Sequence, residues 1–128
     1  MRALLVLLCL LFPTAAFAQS LTVTPVATSA PANGLVLNAA PSSAYGFELY
    51  SKTNDGIAYL LNTTTIPADG AVTPARCYPV VAGTAITVAY QPVNLTMAAG
   101  ATIVFGTTAG SCYNLIKQNA DFIAGEAR

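Results

Sequence analysis

Hydrophobic and polar residues alternate along most of this chain with a period of two. In residues 45–51, Tyr45, Phe47 and Leu49 fall on one face, and Gly46, Glu48 and Tyr50 on the other. In residues 57–62, Ile57, Tyr59 and Leu61 share a side. Residues 84–91 set Ile86, Val88 and Tyr90 against Ala85, Thr87 and Ala89. Val93, Leu95 and Met97 continue the rhythm, and residues 101–108 set Ile103 and Phe105 against Thr102 and Val104. Residues 112–117 and 120–124 complete the set of expected strands. Such alternation over four to eight residues marks strands with one face toward a core. It places Tyr45, Tyr59 and Tyr90 in that core and Tyr50 on the surface.

Turn-forming residues separate these runs: Asn33-Gly34, Asn54-Asp55-Gly56, Asp69-Gly70, Ala99-Gly100 and Ala109-Gly110. Each supplies residues that tolerate turn conformations. Asn54-Asp55-Gly56 lies between two alternating runs, so residues 45–62 read as a β-hairpin. Residues 67–79 hold Pro67, Pro74 and Pro79 and read as a long connection between sheets. Pro25, Pro31 and Pro41 demote the N-terminal segments to edge strands or an extended arm. No amphipathic helix competes with this pattern. The expected fold is all-β: a two-layer antiparallel β-sandwich, jelly-roll-like, over residues 44–128, with the arm or edge strands at 19–43.

The N-terminus reads differently. Met1-Arg2 is a positive start, residues 3–12 are an unbroken apolar stretch, and Ala16-Phe17-Ala18 offers small residues at a cleavage point. These are the parts of a secretory signal peptide over residues 1–18. The apolar stretch is about half the roughly 20 residues a membrane helix needs. No later segment is apolar enough to span, so the expected destination is secreted or periplasmic.

Export changes how the cysteines are read. Cys9 leaves with the signal, and Cys77 and Cys112 remain. An even pair in an exported chain reads as a disulfide. No CxxC spacing accompanies them, so no redox or metal centre is implied.

Composition narrows the chemistry. The chain has no His and no Trp, and its formal net charge is zero. Without His, the Ser–His–Asp and Cys–His catalytic groups cannot be built, nor can a histidine metal site. A neutral chain lacks the basic footprint of nucleic-acid binding. Glu48, Asp55, Asp69 and Asp121 are the carboxylates away from the tail, and turn chemistry accounts for Asp55 and Asp69. Asp69 has no second carboxylate beside it to build a calcium site. No cofactor is implied. Residues 77–116 contain no Asp, Glu, Lys or Arg. An uncharged surface of small residues suits packing against another protein, and it equally suits an exterior solvated by hydroxyls.

One segment pair carries a resemblance. Gly56-Ile57-Ala58-Tyr59-Leu60-Leu61-Asn62 is followed by Pro67-Ala68-Asp69-Gly70-Ala71-Val72-Thr73-Pro74 and Cys77, and residues 100–108 by Cys112. Together these resemble small uncharacterised β-rich proteins of alphaproteobacterial phages and prophages. The resemblance spans about residues 44–125. It implies no activity, and suggests a virion-associated or surface-structural role. The signal peptide points to an exported version.

The leading expectation is an exported, non-enzymatic structural or interaction module that meets a protein partner or itself. The rival is a carbohydrate- or small-ligand-binding domain using Tyr50, Asn54 and Asp69, with a glycan as its partner.

Overall fold

The structure is a computed structural model, which describes residues 25–90 and 94–128. The expected signal peptide lies outside them. The described residues form strands and loops without a helix: β1 (Val26–Ala27), β2 (Gly34–Asn38), β3 (Ser42–Tyr50), β4 (Gly56–Leu61), β5 (Gly70–Ala71), β6 (Arg76–Val80), β7 (Ile86–Ala89), β8 (Leu95–Met97), β9 (Ala101–Thr107), β10 (Asn114–Leu115) and β11 (Phe122–Ala127).

Two antiparallel sheets hold most of these strands. The first runs β1-β11-β3-β7, with β8 also paired to β3; the second runs β2-β9-β4-β6. One hydrophobic core joins them. The first sheet sends in Ala44, Phe47, Leu49, Met97 and Ile123, and the second Ala58, Leu60, Val80, Ile103 and Phe105. The Phe47 and Tyr78 rings meet across it with centroids 5.8 Å apart. The fold is therefore all-β with antiparallel sheets face to face, as in a β-sandwich.

The second sheet is covered on its other side as well. Tyr59, Leu61 and Val104 point away from the shared core and pack with Leu115 under Ile66 and Val72. The cover is a two-stranded ribbon of β5 and β10 with its flanking loops. This explains β9, which is buried from Ala101 to Gly106 without a break. A strand buried on both faces has no solvent side to alternate toward.

Five sequence expectations change here. Residues 45–62 are not a hairpin: β3 pairs with β11, β7 and β8, while β4 pairs with β6 and β9. The Asn54-Asp55-Gly56 segment carries the chain from one sheet to the other. Gly56 is needed for space, since a Cβ there would collide with the Gly106 carbonyl, the Gln118 side chain and the Phe105 ring. The proline-rich connection at 67–79 contains β5 and most of β6. Pro79 is accommodated because β6 is an edge strand, where a missing N–H need not break a ladder.

Tyr45 is not a core residue. The β3–β11 register passes from Gly46 opposite Glu126 to Ala44 opposite Ala127, so Tyr45 is the extra residue of a β-bulge. The bulge switches the face presented to the core. Ser42 and Ala44 are buried before it, Phe47 and Leu49 after it. Lastly, the strand expected over residues 112–117 shrinks to β10, and Cys112 falls in a turn. The uncharged residues 77–116 do not make one surface, because β6 and β9 lie in one sheet, and β7 and β8 in the other.

Candidate functional site

The outer face of the first sheet is built by register. Glu48 of β3 lies opposite Thr87 of β7 and Ala124 of β11; Gly46 lies opposite Ala89 and Glu126. Residues paired across a ladder share a face. Phe47, Leu49 and Ile123 alternate inward, so Gly46, Glu48, Thr87, Ala89, Ala124 and Glu126 look out. Their small members leave an open, shallow groove of about 440 Å³ that also includes Pro25 and Tyr45.

The groove has a chemical character. Its floor is Gly46, Ala89 and Ala124. Glu48 and Glu126 stand diagonally across it, a relation that places such residues about 7–8 Å apart. The bulge turns the Tyr45 ring to this side, and the Arg128 guanidinium lies 4.5 Å from the ring centroid. Arg128 Nε also donates to the Tyr45 hydroxyl at 2.7 Å. The two carboxylates can accept hydrogen bonds from a hydroxylated or cationic ligand laid on the small-residue floor. No local pattern in the sequence joins these residues; Glu126 lies near the tail, although residues 122–127 alternate with the same period of two as the other strands.

The loop carboxylates do other work. Asp55 Oδ1 accepts from the Ala82 amide at 2.8 Å, Asp69 Oδ1 from the Lys117 amide at 3.0 Å and Asp121 Oδ2 from the Lys52 amide at 2.7 Å. Each ties two segments distant in sequence. Lys117 reinforces one tie, donating from Nζ to the Pro67 carbonyl at 2.7 Å and lying 3.9 Å from Asp69 Oδ1.

The candidate residues therefore have separate surroundings. Tyr50 ends β3 on the outer face, half-buried and opposite Phe122. Asn54 is exposed in the crossover, where its amide donates to Ser51 Oγ at 3.2 Å. Asp69 belongs to the ribbon covering the second sheet.

Cys77 and Cys112 are joined in a disulfide with Cα atoms 5.9 Å apart. It links edge strand β6 to the turn before β10, which fastens the ribbon to the sheet. Tyr59 helps from beneath, donating from its hydroxyl to the Ser111 carbonyl at 2.8 Å. Burial pushes the Tyr59 hydroxyl pKa up. Tyr90 is raised too, first by burial and then by its hydrogen bond with Tyr78. The two hydroxyls are 3.1 Å apart.

Comparison of the chain with models of protein families, with curated proteins and with solved structures finds no match.

Proposed function

We propose that this chain is an exported, non-enzymatic structural or interaction module that works by assembling with a protein partner or with itself. The observation that carries the non-enzymatic part of this reading is how the loop carboxylates are used. Asp55, Asp69 and Asp121 are each held by a distant backbone amide. A side chain committed to closing loops is poorly placed to exchange protons with a substrate.

The strand order supports a jelly roll. The order β1-β11-β3-β7 facing β2-β9-β4-β6 is that of eight strands wound as two Greek keys, an architecture used in capsid and lectin domains. That is an analogy of fold. Export to the periplasm or the cell exterior is part of the proposal, and the Cys77–Cys112 disulfide suits an oxidising compartment. Light scattering and a pull-down from the native source test the reading together. An assembly or a reproducible partner is expected; a strict monomer that captures nothing overturns it.

A second reading is favoured by the groove on the first sheet. It makes the protein a binder of a carbohydrate or other small hydroxylated ligand, seated on Gly46, Ala89 and Ala124 between Glu48 and Glu126, with Tyr45 alongside. Aromatic and acidic groups around a flat floor suit a sugar ring. A glycan array should then return binding that Glu48→Gln weakens, and an empty array overturns this reading.

A further inference from the structure

We propose that the free edge of β7 pairs with the same edge of a second copy, joining the two first sheets into one continuous sheet. The inference rests on the assembly reading and names its partner and surface.

Sheet edges are templates for unwanted pairing, and proteins blunt them with charge, proline, bulges or brevity. The other three end strands of the two sheet paths carry such devices. β1 has two residues and follows Pro25. β2 contains a register shift between Val36 and Asn38. β6 holds Arg76 and Pro79. β7 and its approaches, residues 84–90, contain neither a charge nor a proline, and its β3 register runs without a shift.

The backbone direction is determined. The Tyr90 amide donates to the Tyr45 carbonyl at 2.9 Å, so residue 90 turns its polar groups toward β3. Alternate residues in a strand share that direction. Val88 and Ile86 therefore also face β3, and Ala85, Thr87 and Ala89 direct their N–H and C=O groups to the open edge. The entry to this edge is already ordered. The Ala82 amide donates to Asp55, the Gly83 amide to the Ser51 carbonyl at 2.8 Å and the Thr84 amide to the Val81 carbonyl at 3.1 Å. Val81, 61% exposed, sits at the start of this turn.

A second copy fits this edge for an electrostatic reason. Two-fold pairing brings each residue against the same strand reversed, so any charge would tend to meet its own kind. This edge has none. With Thr87 on the axis, Thr87 meets Thr87, Ala85 meets Ala89, and Ile86 meets Val88 of the second copy. That register makes about six backbone hydrogen bonds and places apolar pairs on the core side with a threonine pair outside.

The test is sedimentation velocity on the exported, disulfide-bonded chain over a wide dilution series. The wild type should dimerise with rising concentration. Thr87→Lys should weaken the dimer by roughly tenfold or more, because like charges would face each other. Thr73→Lys, exposed on the ribbon, should leave dimerisation unchanged. Amide exchange on the wild type tests the register without a variant: Thr87 and Ala89 amides should slow as concentration rises, while Ile86 and Val88 are slow throughout. A dimer that survives Thr87→Lys, or Thr87 and Ala89 amides indifferent to concentration, overturns the edge but leaves assembly by another surface standing. A wild type that stays monomeric overturns the edge, and if it also captures no partner it overturns the assembly reading as well.

Discussion

The two sheets differ in how many of their faces meet solvent. The second is covered on both: Ala58, Leu60, Ile103 and Phe105 face the shared core, and Tyr59, Leu61 and Val104 face the ribbon. The first is covered on one, and its outer side displays Glu48, Thr87, Ala89 and Glu126. Similar alternating sequences thus serve different ends. Burial on both faces makes β9 a structural axis, and exposure on one leaves β3, β7 and β11 a surface free to bind. The lack of charge also has two meanings. In β9 it follows from burial, where an unpaired charge is costly. In β7 it persists at an exposed edge, where solvent would have tolerated a charge.

The sharpest way to break this contrast is to put the same charge on the two outer faces. Val104→Asp buries a carboxylate under the ribbon and should cost about 3–5 kcal/mol, enough to unfold much of the protein in a urea titration. Thr87→Asp, compared at dilutions where the wild type is monomeric, should stay within about 0.5 kcal/mol of wild type. Equal tolerance of the two would mean that the ribbon does not seal the second sheet.

Next in size is the disulfide. Replacing Cys77 and Cys112 together by serine should cost about 3–4 kcal/mol in the chain-entropy account, read as a lower melting midpoint. Amide exchange should quicken first at β5 and β10, with β3 and β11 retaining protection. Uniform loss across both sheets would contradict a ribbon fastened locally.

A smaller effect comes from the tyrosine hydroxyl beneath the ribbon. Tyr59→Phe removes its bond to the Ser111 carbonyl and should cost about 1 kcal/mol at neutral pH. The pH dependence has a definite sign. A raised folded-state pKa means the folded protein holds its proton where the unfolded chain, with tyrosine near 10, releases it. The stability from Tyr59 and Tyr90 is therefore complete below about pH 10 and is lost as pH rises further. Tyr59→Phe and Tyr90→Phe should each flatten the alkaline fall in a denaturant series. An unchanged fall would show that neither hydroxyl is shielded.

The smallest change is expected at the groove. Glu48→Gln should leave stability within about 0.5 kcal/mol, since Glu48 is exposed on the outer face. A larger loss would assign Glu48 to the fold rather than to a ligand.

Much of the architecture was legible in the chain. Period-two alternation located β3, β4, β7 and β9 closely, and β1 and β2, near the N-terminal prolines, lie at sheet ends. Tyr50 stood on the outward face, as its parity in β3 required. The groove was not legible, because it depends on Gly46, Glu48, Thr87, Ala89, Ala124 and Glu126 meeting across three strands. No local pattern ties β3 to β11, whose partners lie at opposite ends of the described chain. The bulge at Tyr45 was hidden for a related reason: an extra residue is visible only against the strand beside it.

The sequence by itself determined the all-β class, the positions of most strands, and the uncharged residues 77–116. Those features are local, written in side-chain polarity and in what proline and glycine permit. Tertiary structure alone decided which strands became neighbours, that Asn54-Asp55-Gly56 crosses between sheets, and that a disulfide-fastened ribbon covers one sheet while the other stays open. Pairing is a contest among many strands of similar propensity, and it is settled by burial of the whole set. That contest also divided the uncharged stretch between a buried axis and an exposed edge.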